Sequence, residues 1–132
     1  MSVQILRAVT QHVNYLAMVR KCLAEGGEYC KCTDHHNCGF GKWYDGDGGV
    51  LIREMASPGA EALWAEIAVH HAAFHDASIA AVMTREGDGT IQEREAEMVQ
   101  CSTLLVNRLL ELDAMAPKMG PFSRVPGAAT RR

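Results

Sequence analysis

Proline is nearly missing from the first 116 of the 132 residues: Pro58 stands there alone, and Pro117, Pro121 and Pro126 all follow. Long helices are therefore permitted up to that point and broken after it. No apolar run approaches the roughly 20 residues that a membrane-spanning helix needs. The N-terminus has no signal-peptide core. A soluble, cytoplasmic protein with no membrane insertion is expected. Neither sign of charge dominates, with 13 Lys and Arg against 16 Asp and Glu and a net charge of −3. That excludes the basic face a nucleic-acid partner requires. Cys-x-x-Cys is absent, which removes zinc ribbons and thioredoxin-like centres. The five cysteines, in a chain without an export signal, read as thiols or metal ligands rather than a disulfide framework. There is no internal repeat and no domain boundary.

What is present is helical periodicity. Ile5, Val9, His12, Leu16, Val19 and Leu23 recur at steps of three and four, predicting a helix over 2–25 that Gly26-Gly27 stops. Residues 28–49 read as irregular, with Asn37 as N-cap of a short turn carrying Cys38, and with Asp45-Gly46-Asp47-Gly48-Gly49 as a loop. Phe40 and Trp43 would pin that turn to the bundle, and the state of 50–55 is open. Ser57-Pro58 starts a helix that runs to about Arg85 through Trp64, Ile67, His71, Phe74, Ser78 and Val82. After a turn at 86–89, Thr90 to Glu93 fits a capping box. The last helix reaches about Met115 with Met98, Ser102, Leu105, Leu109 and Leu112 as its seam. The predicted fold is all-α: an antiparallel bundle of three long helices plus a short Cys-bearing helix. It occupies residues 1–116, and 117–132 form a flexible Pro/Gly-rich tail.

The candidate chemistry lies in four side chains on three segments: His12, Cys38, and the pair His71 and His75. One thiolate and three neutral imidazoles complete a tetrahedral shell for Zn²⁺. His71 and His75 are about 40° apart around a helix and one turn apart in height, so both can reach one ion. His70 is about 140° from His75 and is a poor partner. Asp76 and Glu66 are the candidate carboxylates for a ligand's outer N–H, though Asp76 projects about 100° from His75. Cys30, Cys32, His35 and His36 read as a polar loop, with a second metal site as the alternative. Cys22 and Cys101 read as packing residues.

His12 with Tyr15, Cys38 with Phe40, Gly41 and Trp43, and His71 with His75 match in order and separation the motifs of the chemoreceptor zinc-binding (CZB) family. The chain resembles that family from about residue 8 to about residue 80. The resemblance implies a regulatory zinc-binding module with no enzymatic activity, sensing zinc or oxidants in bacterial chemotaxis or cyclic-di-GMP signalling. It implies a homodimer, with a chemoreceptor- or cyclase-pathway protein as partner. Leu6, Val13, Val69 and Val99 are apolar residues outside the main seams that suit such an interface. With no receptor coiled coil and no cyclase domain in the sequence, a stand-alone member is expected.

Two other classes compete. A metalloenzyme would hold zinc and a water through three His, but no Glu stands beside them in a hydrolase pattern. A hemerythrin-like di-iron bundle needs bridging carboxylates, and no His here is followed four residues on by Asp or Glu.

Overall fold

The computed structural model describes residues 2–25, 36, 38–84 and 90–115. Within them run five helices: α1 (Val3–Glu25), α2 (Gly39–Asp45), α3 (Asp47–Met55), α4 (Pro58–Thr84) and α5 (Ile91–Met115). The all-α bundle expected from periodicity is what forms. The Gly26-Gly27 stop, Asn37, the turn at 86–89 and the tail at 117–132 lie outside the described residues.

The helical stripes become the core. On α1, Ile5, Ala8, His12 and Val19 are buried; on α5, Met98, Ser102, Leu105, Leu109 and Leu112 are. α4 begins where Ser57 and Pro58 place it, the Ala60 N–H donating to Ser57 Oγ at 3.2 Å. Helix directions follow from contacts at three heights. The Ser2 N–H donates to Asp113 Oδ1 at 2.7 Å, His12 Nε2 lies 2.7 Å from Ser102 Oγ, and Arg20 Nε donates to Glu95 Oε2 at 2.9 Å. α5 therefore runs antiparallel to α1. Arg108, late in α5, reaches Glu66, early in α4, at 3.3 Å, so α5 is antiparallel to α4 as well. α1 and α4 consequently share a direction.

The two short helices bridge them: α2 packs on α1, and α3 packs on α4. Here the loop reading of 45–49 is corrected, since only Gly46 separates α2 from α3. Glycine at 48 reflects packing rather than a turn. A Cβ there would lie 2.7 Å from the Trp64 ring and 2.9 Å from the Trp43 carbonyl. Local sequence cannot separate a glycine chosen for a turn from one chosen for close approach. The open segment 50–55 is helical, burying Leu51 and Ile52. α3 ends at Ala56, which is left-handed at φ 48°.

α2 is anchored by aromatics. Phe40 is buried, and losing such a ring costs roughly 3–5 kcal/mol. Trp43 Nε1 donates to Gln4 Oε1 on α1 at 3.0 Å. Tyr44 stacks on Trp64 of α4 with centroids 4.0 Å apart and donates its hydroxyl to the Trp64 carbonyl at 2.8 Å. The apolar interior forms two clusters. One holds Ile5, Phe40, Ile67, Leu105 and Leu109; the other holds Val19, Phe74 and Met98.

Candidate metal centre

Polar side chains collect where the two clusters meet. Cys38 stands immediately before α2 as its N-cap, with Sγ accepting the Gly41 N–H at 3.2 Å. The cap is thus the cysteine itself, not Asn37 as expected. A side chain that closes the first turn of its own helix is held in place by backbone geometry. His71 and His75 descend from α4, one turn apart, with ring centroids 4.7 Å apart. His71 Nε2 lies 3.2 Å from Cys38 Sγ. One ligand atom from each of Cys38, His71 and His75 falls within 4.8 Å of the others. Both imidazoles are about as dry as the core, at 3% and 2% exposure.

His12 reaches the same place from α1. It lines, with Tyr15, Cys38, Phe40, His71 and His75, a cavity of ≈ 20 Å³. It stands beside the close trio rather than in it, and its Nε2 is engaged by Ser102. Burial, and then the neighbouring His75, lower its pKa to about 4, so it is a neutral imidazole at pH 7. Rings enclose the group: Phe40 lies 4.5 Å from His71, Phe74 4.5 Å from His12, and Tyr15 4.8 Å from His75. A water needs at least about 10–15 Å³ of such space. The cavity therefore has room for one water-sized or ion-sized occupant.

The chemoreceptor zinc-binding domain family matches residues 12–82, more than half of the chain, beginning at His12 and spanning Cys38, His71 and His75. The chain belongs to the CZB family. No curated protein and no solved structure matches it. Membership makes it a zinc-binding sensor module.

The donors suit that assignment. Tetrahedral zinc bonds of 2.0–2.3 Å place ligand atoms roughly 3.3–3.8 Å apart. Cys38 Sγ and His71 Nε2 are already near that separation, and all three ligand atoms fall within 4.8 Å of one another. Sulfur and imidazole are the ligand types zinc prefers. No carboxylate belongs to this group among the described residues, whereas a bridged di-iron centre is built on carboxylates.

Other expected residues go elsewhere in this CZB domain. His70 turns away from the centre, its Nε2 3.1 Å from Glu66 Oε2. Glu66 also accepts from Arg108, so it supports the α4–α5 contact rather than a ligand. Asp76 is exposed. Of the four residues considered for a second site, only His36 is described; it is exposed, with Nδ1 3.1 Å from Asp45 Oδ2. Cys38 and Cys101 form no disulfide, whereas Cys22 is disulfide-bonded. Cys22 is buried, in keeping with a packing role, but its disulfide corrects the reading of the cysteines as thiols or metal ligands. Expectations about compartment do not report which sulfurs approach one another. Helical periodicity places Ser102 in the α5 seam and no more. A hydroxyl in an otherwise apolar seam was the signal of a polar partner across the bundle.

Proposed function

We propose that this chain is a regulatory sensor that holds one Zn²⁺ through His12, Cys38, His71 and His75 and reports on zinc or oxidants in bacterial chemotaxis or cyclic-di-GMP control. The observation that carries this reading is the meeting of Cys38, His71 and His75 in an ion-sized cavity whose wall includes His12. Bound there, Zn²⁺ would keep Cys38 a thiolate and join the start of α2 to α4.

Cys38 is the ligand that can change. Its thiolate attacks one oxygen of hydrogen peroxide, the O–O bond breaks, and hydroxide leaves and becomes water on taking a proton. Sulfur is oxidised by two electrons to the sulfenic acid as peroxide is reduced. A sulfenic sulfur is a poorer zinc ligand, and α2, seven residues long, moves at less cost than α4. Its shift would disturb Trp43, Gln4 and the Tyr44–Trp64 stack.

The output passes through a homodimer and a signalling partner. Support comes from α4, whose outward face carries Ala62, Ala65, Val69, Ile79 and Met83 in an arc of about 100° around the helix, shared with the exposed Glu61 and Asp76. Val69 is 65% and Met83 79% exposed. Large apolar side chains that exposed on a helix suit a protein interface. Leu6 and Val13 are exposed on α1, while Val99 is half-buried.

Metal analysis tests the ligand set: about one zinc per chain is expected in the purified protein and little in Cys38→Ala. Wild-type protein free of zinc after zinc loading would reject the reading. Peroxide should release zinc and change Trp fluorescence while helicity persists. Zinc retention while other cysteines oxidise would reject the oxidant arm. Light scattering at micromolar concentration should give a dimer mass that Val69→Glu lowers.

A further inference from the structure

The four ligand candidates are not held alike. Cys38 is fixed by its own helix cap, and His71 and His75 by one long helix. His12 has an outside partner, Ser102, 90 positions along the chain on α5 and beyond the family-matched residues 12–82. Ser102 is 4% exposed and lies between the fully buried Met98 and Leu105. Placing a hydroxyl there sacrifices apolar packing and requires a hydrogen-bond partner. His12 Nε2, at 2.7 Å, is that partner.

A neutral imidazole has one N–H and one lone pair. A metal takes the lone pair. With Nε2 engaged by Ser102, the nitrogen left for an ion is Nδ1. Nε2 then carries the proton, and Ser102 Oγ accepts it. Ligating histidines commonly have their second nitrogen fixed in this way, which sets both tautomer and ring rotation.

We propose that Ser102 is a positioning residue for the metal centre: its hydroxyl accepts the His12 Nε2–H and presents Nδ1 of His12 to the cation. The inference rests on the reading of His12 as a ligand. It also ties α5 to the centre without giving α5 a ligand of its own. Metal occupancy is thereby coupled to the position of α5, since pulling Nδ1 toward the ion pulls Ser102 with it.

Zinc affinity, measured by competition with a chelator, tests this in wild type, Ser102→Ala, Ser102→Thr, His12→Ala and the His12→Ala/Ser102→Ala double variant. Ser102→Ala should lose about 10–100-fold in affinity. Ser102→Thr, which keeps the hydroxyl, should recover most of it. In the His12→Ala background the Ser102→Ala effect should vanish, because the two residues act as one unit. An equal loss in both backgrounds would assign Ser102 to packing alone and overturn the proposal. Nitrogen NMR of the zinc-loaded wild-type ring gives a check that needs no variant. A protonated Nε2 with Nδ1 on the metal is expected, and Nε2 on the metal overturns the proposal. His12→Ala separates the two levels: wild-type affinity in that variant defeats the ligand reading and this proposal together. A loss there without coupling to Ser102 defeats only the positioning role.

Discussion

Cys101 and Cys38, the two described cysteines outside a disulfide, sit in opposite chemical settings. Cys38 faces His71 and the Gly41 N–H at the metal centre. Cys101 is half-buried on α5, where burial first, and then the Glu97 charge, push its thiol pKa up. Raising a thiol's pKa disfavours the thiolate, so at any neutral pH less of the reactive form is present. Alkylation of Cys101 should accordingly be slow near pH 7 and should accelerate only above the ordinary thiol range of about 8.5. Peptide mass mapping of labelled protein across pH reads this directly. An ordinary thiol profile at Cys101 would contradict its environment. His12 illustrates a different use of burial: the same desolvation that slows a thiol keeps an imidazole neutral and its lone pair free.

The short helices carry consequences out of proportion to their length. α2 and α3 are 7 and 9 residues long, too short to persist alone, and they exist because aromatic contacts hold them to α1 and α4. Gly48 lies where those contacts converge. Gly48→Ala should cost about 1–3 kcal/mol through overpacking against Trp64 and Trp43. The checks are a lower urea midpoint and altered Trp fluorescence; an unchanged midpoint would mean that Trp64 gives way freely. Ala56 offers the reverse experiment. It is exposed and left-handed, a conformation that costs an L-residue on the order of 1 kcal/mol and glycine very little. Ala56→Gly should raise the urea midpoint, with no loss of zinc affinity. A fall would show that restricting the unfolded chain outweighs the local strain.

On the scale of the whole molecule, the metal centre is one contact among many. Two apolar clusters flank it, and three long helices bury their own seams. This differs from a small zinc finger, which folds only with its metal. Chelation should therefore leave the helices standing. A ligand at about 100 times its dissociation constant adds about 2.7 kcal/mol. For a domain of this size that corresponds to a fall in Tm on the order of 10 °C when zinc is removed. Circular dichroism with and without a chelator measures both quantities. Collapse of helicity on chelation would mean that the centre is a folding nucleus and not a sensor. No helix among the described residues is long and apolar enough to cross a membrane.

The faces of α1, α4 and α5 were legible in the chain because a helix fixes each side chain's angle from its neighbours. Ile5 through Leu23, and Met98 through Leu112, had no other way to share a side. The same geometry joined His71 to His75 and separated both from His70. Family motifs then added His12 and Cys38. Four things came only from the tertiary structure: α3 in place of a loop, Gly48 beneath two indoles, the bonded state of Cys22, and Ser102 against His12. Each depends on how one element sits against another. Helical periodicity gives a residue's angle about its own axis. It carries no information about which residue, 90 positions away, lies across the interface at the same height.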